Sequence, residues 1–185
     1  GHTPLLQVGA SVIVINEAGQ MLMQQRTDCG SWGYAGGSVE LGESVEQTAK
    51  RELFEETGLK AQKLELLGVY SGERMQYTYP NGDKVSNVDI VYTCHEYTGE
   101  LKMQASEVSQ LKFIDICDLP EDIFPPNRPA IEDYIKEAAF AAINERRETL
   151  CAELLDLLEI TRQHRSSWTA CLSLSIEAMT LPVSL

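Results

Sequence analysis

Residues Gly37 to Leu59 read GSVELGESVEQTAKRELFEETGL. The stretch carries a helix together with its start and stop signals. Ser44 suits the N-cap, and Gln47 three residues later completes a capping box. Gly58 is placed to end the helix, as a C-terminal glycine should. The sequence therefore predicts a helix over Glu43 to Thr57. On that helix Glu52, Glu55 and Glu56 fall within an arc of about 100°, one turn long. Like charges three or four residues apart cost roughly 0.2–0.5 kcal/mol per pair, so a helix selected for stability alone would scatter them. A bound dication reverses the sign of that cost. Mg²⁺ and Mn²⁺ favour carboxylate oxygens and retain water, which suits bridging to a phosphate. The plain alternative for the three glutamates is an acidic, solvated helix face.

Neighbouring residues fit the metal reading. Arg51 stands one turn from Glu55 and can orient a ligand carboxylate. Gly36 and Gly37 let the preceding segment approach the helix closely, and the Gly37 carbonyl can serve as a further oxygen ligand. Cations held there would polarise bridging phosphates and lower the pKa of a bound water. A nearby carboxylate would take that water's proton.

The same residues resemble the signature of the Nudix family, G-x5-E-x7-R-E-U-x-E-E-x-G-U, where U is aliphatic. Gly37, Glu43, Arg51, Glu52, Leu53, Glu55, Glu56, Gly58 and Leu59 fill every specified position. At ordinary residue frequencies a chance match in a chain of this length is roughly one in ten million. The resemblance implies an α/β Nudix fold, a mixed β-sheet sandwiched between α-helices, over about residues 5 to 137. It implies Glu52, Glu55 and Glu56 as metal ligands, Glu52 also as a base, and Arg51 and Glu43 as orienting, salt-bridging residues, with Gly58 structural. Many members add a carboxylate from a loop outside the signature; Glu107 is the first choice here and Glu100 the second. The cofactor implied is Mg²⁺, with Mn²⁺ as a substitute. The reaction implied is hydrolysis of a phosphoanhydride in a nucleoside diphosphate linked to another moiety: a nucleoside triphosphate, nucleotide sugar, ADP-ribose or dinucleoside polyphosphate. The alternative is a nucleotide-sensing module that keeps the fold without turnover. One departure precedes the box. Tyr34-Ala35-Gly36-Gly37 stands where the family commonly has a Leu-Pro-Gly-Gly run, and the missing proline removes some loop rigidity.

Composition sets outer limits. The chain has 185 residues, 43% hydrophobic and 23% charged, enough for one domain with a core and an appendage. Acidic residues outnumber basic ones 28 to 15, for a formal charge of −13. Such a surface repels phosphate backbones, which argues against nucleic acid as a partner and makes a masking cation at any phosphate site more necessary. The five cysteines show no CxxC pair, so a zinc site or disulfide framework has no support and reduced thiols in a cytoplasmic setting are expected. No run is long and apolar enough to suggest a membrane span, and no signal-like segment opens the chain.

Around the box, Gly9 to Ile15 (GASVIVI) predicts a strand and Met21 to Arg26 a second that pairs back through a turn at Asn16 to Gln20. Thr27 to Ser38 reads as a loop. Lys63 to Ser71 and Val85 to Tyr97 read as strands joined in a hairpin across Pro80-Asn81-Gly82-Asp83, and Leu111 to Ile116 as a short strand. A helix is expected from about Ala130. From residue 138 to 185 a C-terminal extension is expected, helical through about Arg162, with Ile143, Leu150, Leu154, Leu157 and Leu158 at helical spacing. Those leucines can form a homodimer surface, bind a partner, or pack on their own domain.

Substrate contacts are read more coarsely. Phe124 to Ile131 (FPPNRPAI) resembles a Phe-Pro-Pro-Ala-Asn-Glu-Pro segment of MutT-type enzymes that remove oxidised guanine nucleotides, in which an asparagine contacts the base; Asn127 is the matching residue. The plain reading makes Asn127 a helix N-cap after a proline turn. Tyr77 stands near where diadenosine polyphosphate hydrolases carry an aromatic; hairpin packing is the alternative. Tyr34 and Trp32 can line a pocket wall or fill the core, and Arg26 can hold a phosphate.

Overall fold

Why Ala10, Val12, Ile13 and Val14 are all essentially inaccessible follows from where their strand lies: it is covered on both faces. The computed structural model describes residues 4–79 and 82–179, with side chains through residue 159. The elements are β1 (Leu5–Val14), β2 (Met21–Arg26), β3 (Trp32–Gly33), β4 (Ala35–Ser38), α1 (Val45–Thr57), β5 (Lys60–Tyr70), β6 (Gln76–Thr78), β7 (Lys84–Thr98), β8 (Val108–Ile114) and α2 (Arg128–Met179). Their mixture is the expected α/β class.

Two sheets carry the strands. The larger runs β4-β1-β7-β5, with β6 paired to β7, and the smaller runs β3-β2-β8. β1 and β7 are parallel, Gly9 beside Asp89 and Ser11 beside Val91, while β4 lies antiparallel on the free side of β1. Successive side chains of a strand point to opposite faces. Thus Ala10, Val12 and Val14 meet Ala49 and Leu53 of α1 in one core, joined by Tyr92 and Cys94 of β7 and by Leu59. Gly9 and Ser11 face the other way, into a cleft.

α1 begins as its sequence dictates. Ser44 is the N-cap with both bonds of the capping box made, and Gly58 closes the helix at φ 74°. Its first residue is Val45, so Glu43 lies just outside the helix. An added β-carbon at Gly58 would come 2.6 Å from the Glu100 carbonyl oxygen, so glycine is required there for space as well as for φ.

Several expectations are corrected. Thr27 to Ser38 is not a loop throughout; it contains β3 and β4, and β4 pairs with β1 over four residues. Backbone pairing replaces the side-chain patterning that glycines cannot supply. β5 and β7 do pair antiparallel, but β6 and a 3-10 turn at Glu73–Met75 intervene, and β6 forms the hairpin with β7. Pro80 and Asn81 of the expected turn lie outside the described residues. The short strand is Val108–Ile114, pairing with β2. α2 starts at Arg128 and continues to Met179, beyond Arg162.

The chain divides into two units, Gly1–Lys136 and Glu137–Leu185. In the second, Phe140, Ile143, Leu150, Leu154, Leu157 and Leu158 are exposed. Among the described residues no helix is long and apolar enough to cross a membrane.

Leu53 is fully buried at the centre of the contact between α1 and β1. Leu53→Ala should therefore cost about 2–5 kcal/mol in denaturant-induced unfolding. A loss under about 1 kcal/mol would mean that α1 is not held to the sheet through this residue.

Candidate active site

Arg51 is the hub of the acidic face. Its Nε and Nη2 donate to the two carboxylate oxygens of Glu43 at 2.8 and 3.0 Å. Its Nη1 reaches Glu52 at 2.7 Å and Glu55 at 3.3 Å, and Nη2 also reaches the Ser38 carbonyl at 3.2 Å. A planar guanidinium, with five N–H donors in a fixed fork, can hold one carboxylate by both oxygens and still reach further acceptors. Glu43 receives a further bond from the Thr48 hydroxyl at 2.7 Å. The Arg51 and Thr48 hydrogen bonds hold the Glu43 carboxyl down at about 2. One cation thus ties the segment before α1 to the middle of the helix.

Glu56 is placed differently. It is 5% exposed, and its Oε2 accepts from Gln24 Nε2 of β2 and from the Gly36 backbone N–H of β4, both at 2.9 Å. Burial pushes its pKa up to about 7; the two donors oppose that shift, and the charges of Glu52 and Glu107 add to it. Burial also raises Glu52, against Arg51 and reinforced by Glu55 and Glu107. Glu107, on the segment entering β8, therefore bears electrically on both box glutamates. Its carbonyl is held by the Thr27 N–H at 2.9 Å. Glu100 sits instead beside Gly58 and Phe54 at the end of α1, in a groove that Glu55 also lines.

Among the described residues no three side chains already stand as a metal cage. The donor set nevertheless suits a hard dication. The charges of Glu55 and Glu107 raise the proton affinity of Glu52, and those of Glu52 and Glu107 raise that of Glu56, the signature of massed negative charge, and every donor is a carboxylate oxygen.

The glycines of β4 fit this arrangement. A β-carbon on Gly37 would stand 2.4 Å from Glu52 Oε1, and one on Gly36 would stand 2.1 Å from Ser11 Oγ. Gly37 therefore admits the Glu52 carboxylate on the α1 side. Gly36 admits Ser11 on the opposite side, where both glycines border the cleft. The cleft encloses about 540 Å³ including its open mouth, and Arg26, Tyr34, Asp89, Phe124 and Asn127 are among its lining residues.

The expected substrate residues distribute unevenly. Tyr34 is 4% exposed, and burial next to Asp89 holds its phenol well above its ordinary value. Asn127 closes a 3-10 turn, Pro125–Asn127; its side chain hydrogen-bonds Tyr34, and its Oδ1 fills the space against Gly33. Arg26 stacks over the Phe124 ring at 4.7 Å and pairs with Asp28 at 2.7 Å. Tyr77 packs edge-on against Phe124, 4.7 Å between centroids, and against Tyr79; those two, rather than Tyr77, line the cleft. Trp32 is core, with Lys112 over its ring.

Sequence reasoning missed Asp89, Ser11 and Gln24. Asp89 is 7% exposed, and burial lifts it to about 6. The signal was present: a carboxylate inside the strand run NVDIVYTC is out of place unless it faces something polar.

A domain model described as NUDIX domain matches residues 5–134. A Bacillus subtilis (strain 168) protein named "Putative 8-oxo-dGTP diphosphatase" is 30% identical over 151 residues, covering 82% of this chain and 94% of that protein. The ADP-ribose pyrophosphatase of Methanocaldococcus jannaschii is 36% identical over 107 residues, which are 58% of this chain and 59% of that one. The crystal structure of a MutT Nudix hydrolase from Burkholderia pseudomallei superposes with TM-score 0.61 at 28% identity, covering 70% of this chain and 98% of that one. The signature that α1 displays against β4 is thus set in a matching fold, and the chain belongs to the Nudix family as a MutT-like pyrophosphohydrolase.

Proposed function

We propose that the chain hydrolyses a phosphoanhydride in a nucleoside diphosphate linked to another moiety, at a divalent-cation site formed by Glu52, Glu55 and Glu56 with the Gly37 carbonyl. The observation that carries this reading is the charge massed on the partly buried Glu52 and the buried Glu56, to which the exposed Glu107 adds. Nothing in folding rewards such massing, and a cation would. Mg²⁺ is the natural occupant of an all-oxygen set, with Mn²⁺ as a substitute. When bound, such a cation supplies charge neutralisation for the anhydride oxygens and a more acidic water.

The protein's own groups do the rest. Glu52, held at 2.7 Å by Arg51, keeps one oxygen oriented and accepts the proton of the attacking water. Glu107 assists from outside the helix, as a second proton acceptor or ligand. Arg51 and Glu43 keep the helix face in register with β4. Arg26, Tyr34 and Asn127 hold the remainder of the nucleotide in the cleft beside Gly36, with Tyr77 backing Phe124. The bond cleaved lies between the phosphates, so the products are a nucleoside monophosphate and a phosphorylated fragment, or pyrophosphate where that fragment is small.

The direct assay is product release from canonical and oxidised nucleoside triphosphates, ADP-ribose, dinucleoside polyphosphates and nucleotide sugars with Mg²⁺, with and without chelator. Chelator-sensitive turnover of one class is expected. Nucleotide binding without any turnover would instead support a sensing module. Glu52→Gln should lower kcat on the order of a hundredfold or more while leaving the unfolding midpoint within a few degrees. Near-full activity in that variant would remove Glu52 from the chemistry.

A second outcome concerns pH. Glu56 has its folded pKa raised from 4.5 to about 7, and Asp89 from 3.8 to about 6. A raised carboxyl favours folding most below its unfolded pKa, and that advantage is lost as pH rises through the folded value. The metal-free protein should therefore gain stability from pH 8 down to about pH 5, by up to about 3 kcal/mol from Glu56. Below that, Glu43 acts oppositely, losing its contribution as pH falls from 4.5 through about 2. Glu56→Gln should flatten the upper slope to the part that Asp89 and Glu52 supply, in unfolding midpoints measured in chelator. An unchanged slope would contradict the burial argument.

A further inference from the structure

The cleft has a feature that phosphate handling does not use. Its floor is made where β1 and β7 run parallel, by the side chains that point away from α1. There Asp89 is 7% exposed, and its carboxylate stands at the cleft wall. The Ser11 hydroxyl, with a single proton to give, lies 2.9 and 3.0 Å from its two oxygens, and the Tyr34 hydroxyl is 3.5 Å from Oδ2. A carboxylate has about four acceptor sites, so these donors leave part of its capacity unfilled. The cation in the same cleft, Arg26, is paired with Asp28. Among the described residues no ion pair reaches Asp89.

Space is kept open over this group. Its neighbour in register on β1 is Gly9, and a β-carbon there would lie 3.4 Å from Asp89 Oδ1. Within a mostly polar lining, Phe124, Tyr79, Met75 and Pro126 supply aromatic and apolar wall. Such walls suit a planar ring. The cleft also continues to Gly36, whose N–H holds Glu56. A ring on Asp89 and an anhydride at the acidic face can therefore belong to one nucleotide.

We propose that Asp89 is a specificity-determining residue that reads the nucleobase, and that it selects an edge presenting two adjacent N–H donors. Among the common bases this is the guanine edge, with its ring N–H beside an exocyclic amine. A carboxylate takes both protons side by side, each bond strengthened by its charge. Adenine and cytosine put a ring acceptor beside their amine, so a lone pair would face the carboxylate. Uracil flanks its one N–H with carbonyls. Leaving Asp89 desolvated without those protons is costly, and this is how a buried polar group rejects a near-isostere. The inference rests on the reading of the chain as a nucleotide hydrolase, and it names the part of the substrate that the cleft takes.

The test uses the full chain, Asp89→Asn and Ser11→Ala, assayed with Mg²⁺ on GTP, dGTP, ITP, ATP and CTP. ITP keeps the ring N–H of guanine and lacks the amine. The wild-type protein should favour GTP over ITP by about tenfold or more in kcat/KM. Asp89→Asn should erase that ratio through KM, with kcat for GTP changed only about two- to threefold. Ser11→Ala loosens the carboxylate and should reduce the ratio several-fold; it carries the test if Asp89→Asn does not fold. A wild-type enzyme that turns over these nucleotides with no GTP preference, or with a preference unaltered in both variants, overturns the proposal. So does discrimination that follows GTP against dGTP, which would put a ribose diol on Asp89. If none of these five is turned over, nucleoside triphosphates are excluded as the substrate, and the hydrolase reading itself fails only if ADP-ribose, dinucleoside polyphosphates and nucleotide sugars are also left intact. The base reading is then decided in chelator, where GMP should raise the melting temperature of the wild type more than IMP does, and that difference should vanish in Asp89→Asn. Equal shifts from both ligands would overturn it.

Discussion

A β-carbon at Gly36 or Gly37 of β4 would displace a side chain that now fills its space, and the arrangement of the acidic face and the cleft depends on that. Gly37 leaves the volume in which the Glu52 carboxylate lies, and Gly36 leaves the volume in which the Ser11 hydroxyl lies. The separation between the acidic face of α1 and the cleft is thus one strand thick. Gly36 serves both sides, since its N–H donates to Glu56 while its Cα faces Ser11, the partner of Asp89. A larger residue at either position would press on a carboxylate or a hydroxyl that is already hydrogen-bonded. At Gly36 the contact reaches the Ser11 Cα, so relief requires a strand to move, whereas at Gly37 the Glu52 carboxylate would have to swing out of its place.

This explains which parts were legible in the sequence. α1 was, because its signals are local: Ser44, Gln47 and Gly58 act within one turn of their own positions, and each does in the structure what its chemistry requires. β1 and β2 were too, because long β-branched or apolar runs announce burial. β4 was not. Its residues, Ala-Gly-Gly-Ser, have no strand propensity, and the strand exists because β1 offers a free edge to pair with. β6 was missed for a related reason, since three residues following a 3-10 turn are too few to set a period. The long-range contacts were the least visible. Gln24 meets Glu56 across 32 positions, and Ser11 meets Asp89 across 78. No local pattern encodes either pairing, although the misplaced polarity of Gln24 and Asp89 within strands marks each as a residue needing a partner.

Electrostatics divides the site's carboxyls into two kinds. Glu43 is partly exposed and bound to Arg51, so its charge is favoured. Glu56 and Asp89 are buried among neutral donors, so their charge is disfavoured and a proton is held to higher pH. A protein carrying a formal charge of −13 gains nothing in fold stability from keeping such groups desolvated. Each kind therefore points to a different complement. Arg51 already neutralises Glu43 and shares itself with Glu52 and Glu55, while Glu56, backed by Glu52 and Glu107, is left with a surplus that a cation would cancel. Asp89 stands apart from that surplus, on the far side of β4, and what would cancel its cost is a pair of N–H donors.

The unpartnered Oε1 of Gln24 belongs to the same balance. Its amide nitrogen is committed to Glu56, which fixes the side chain with its oxygen turned into the core. The cost of that oxygen is the cost of holding Glu56 from the β2 side with a neutral donor instead of a cation. An arginine or lysine at position 24 would satisfy Glu56 more strongly. It would also bring a positive charge to the acidic face, which would make that face more stable and less attractive to the dication proposed there. A neutral donor with one unmet acceptor orients Glu56 while leaving its charge uncompensated, and the cation site proposed at this face would draw on that charge.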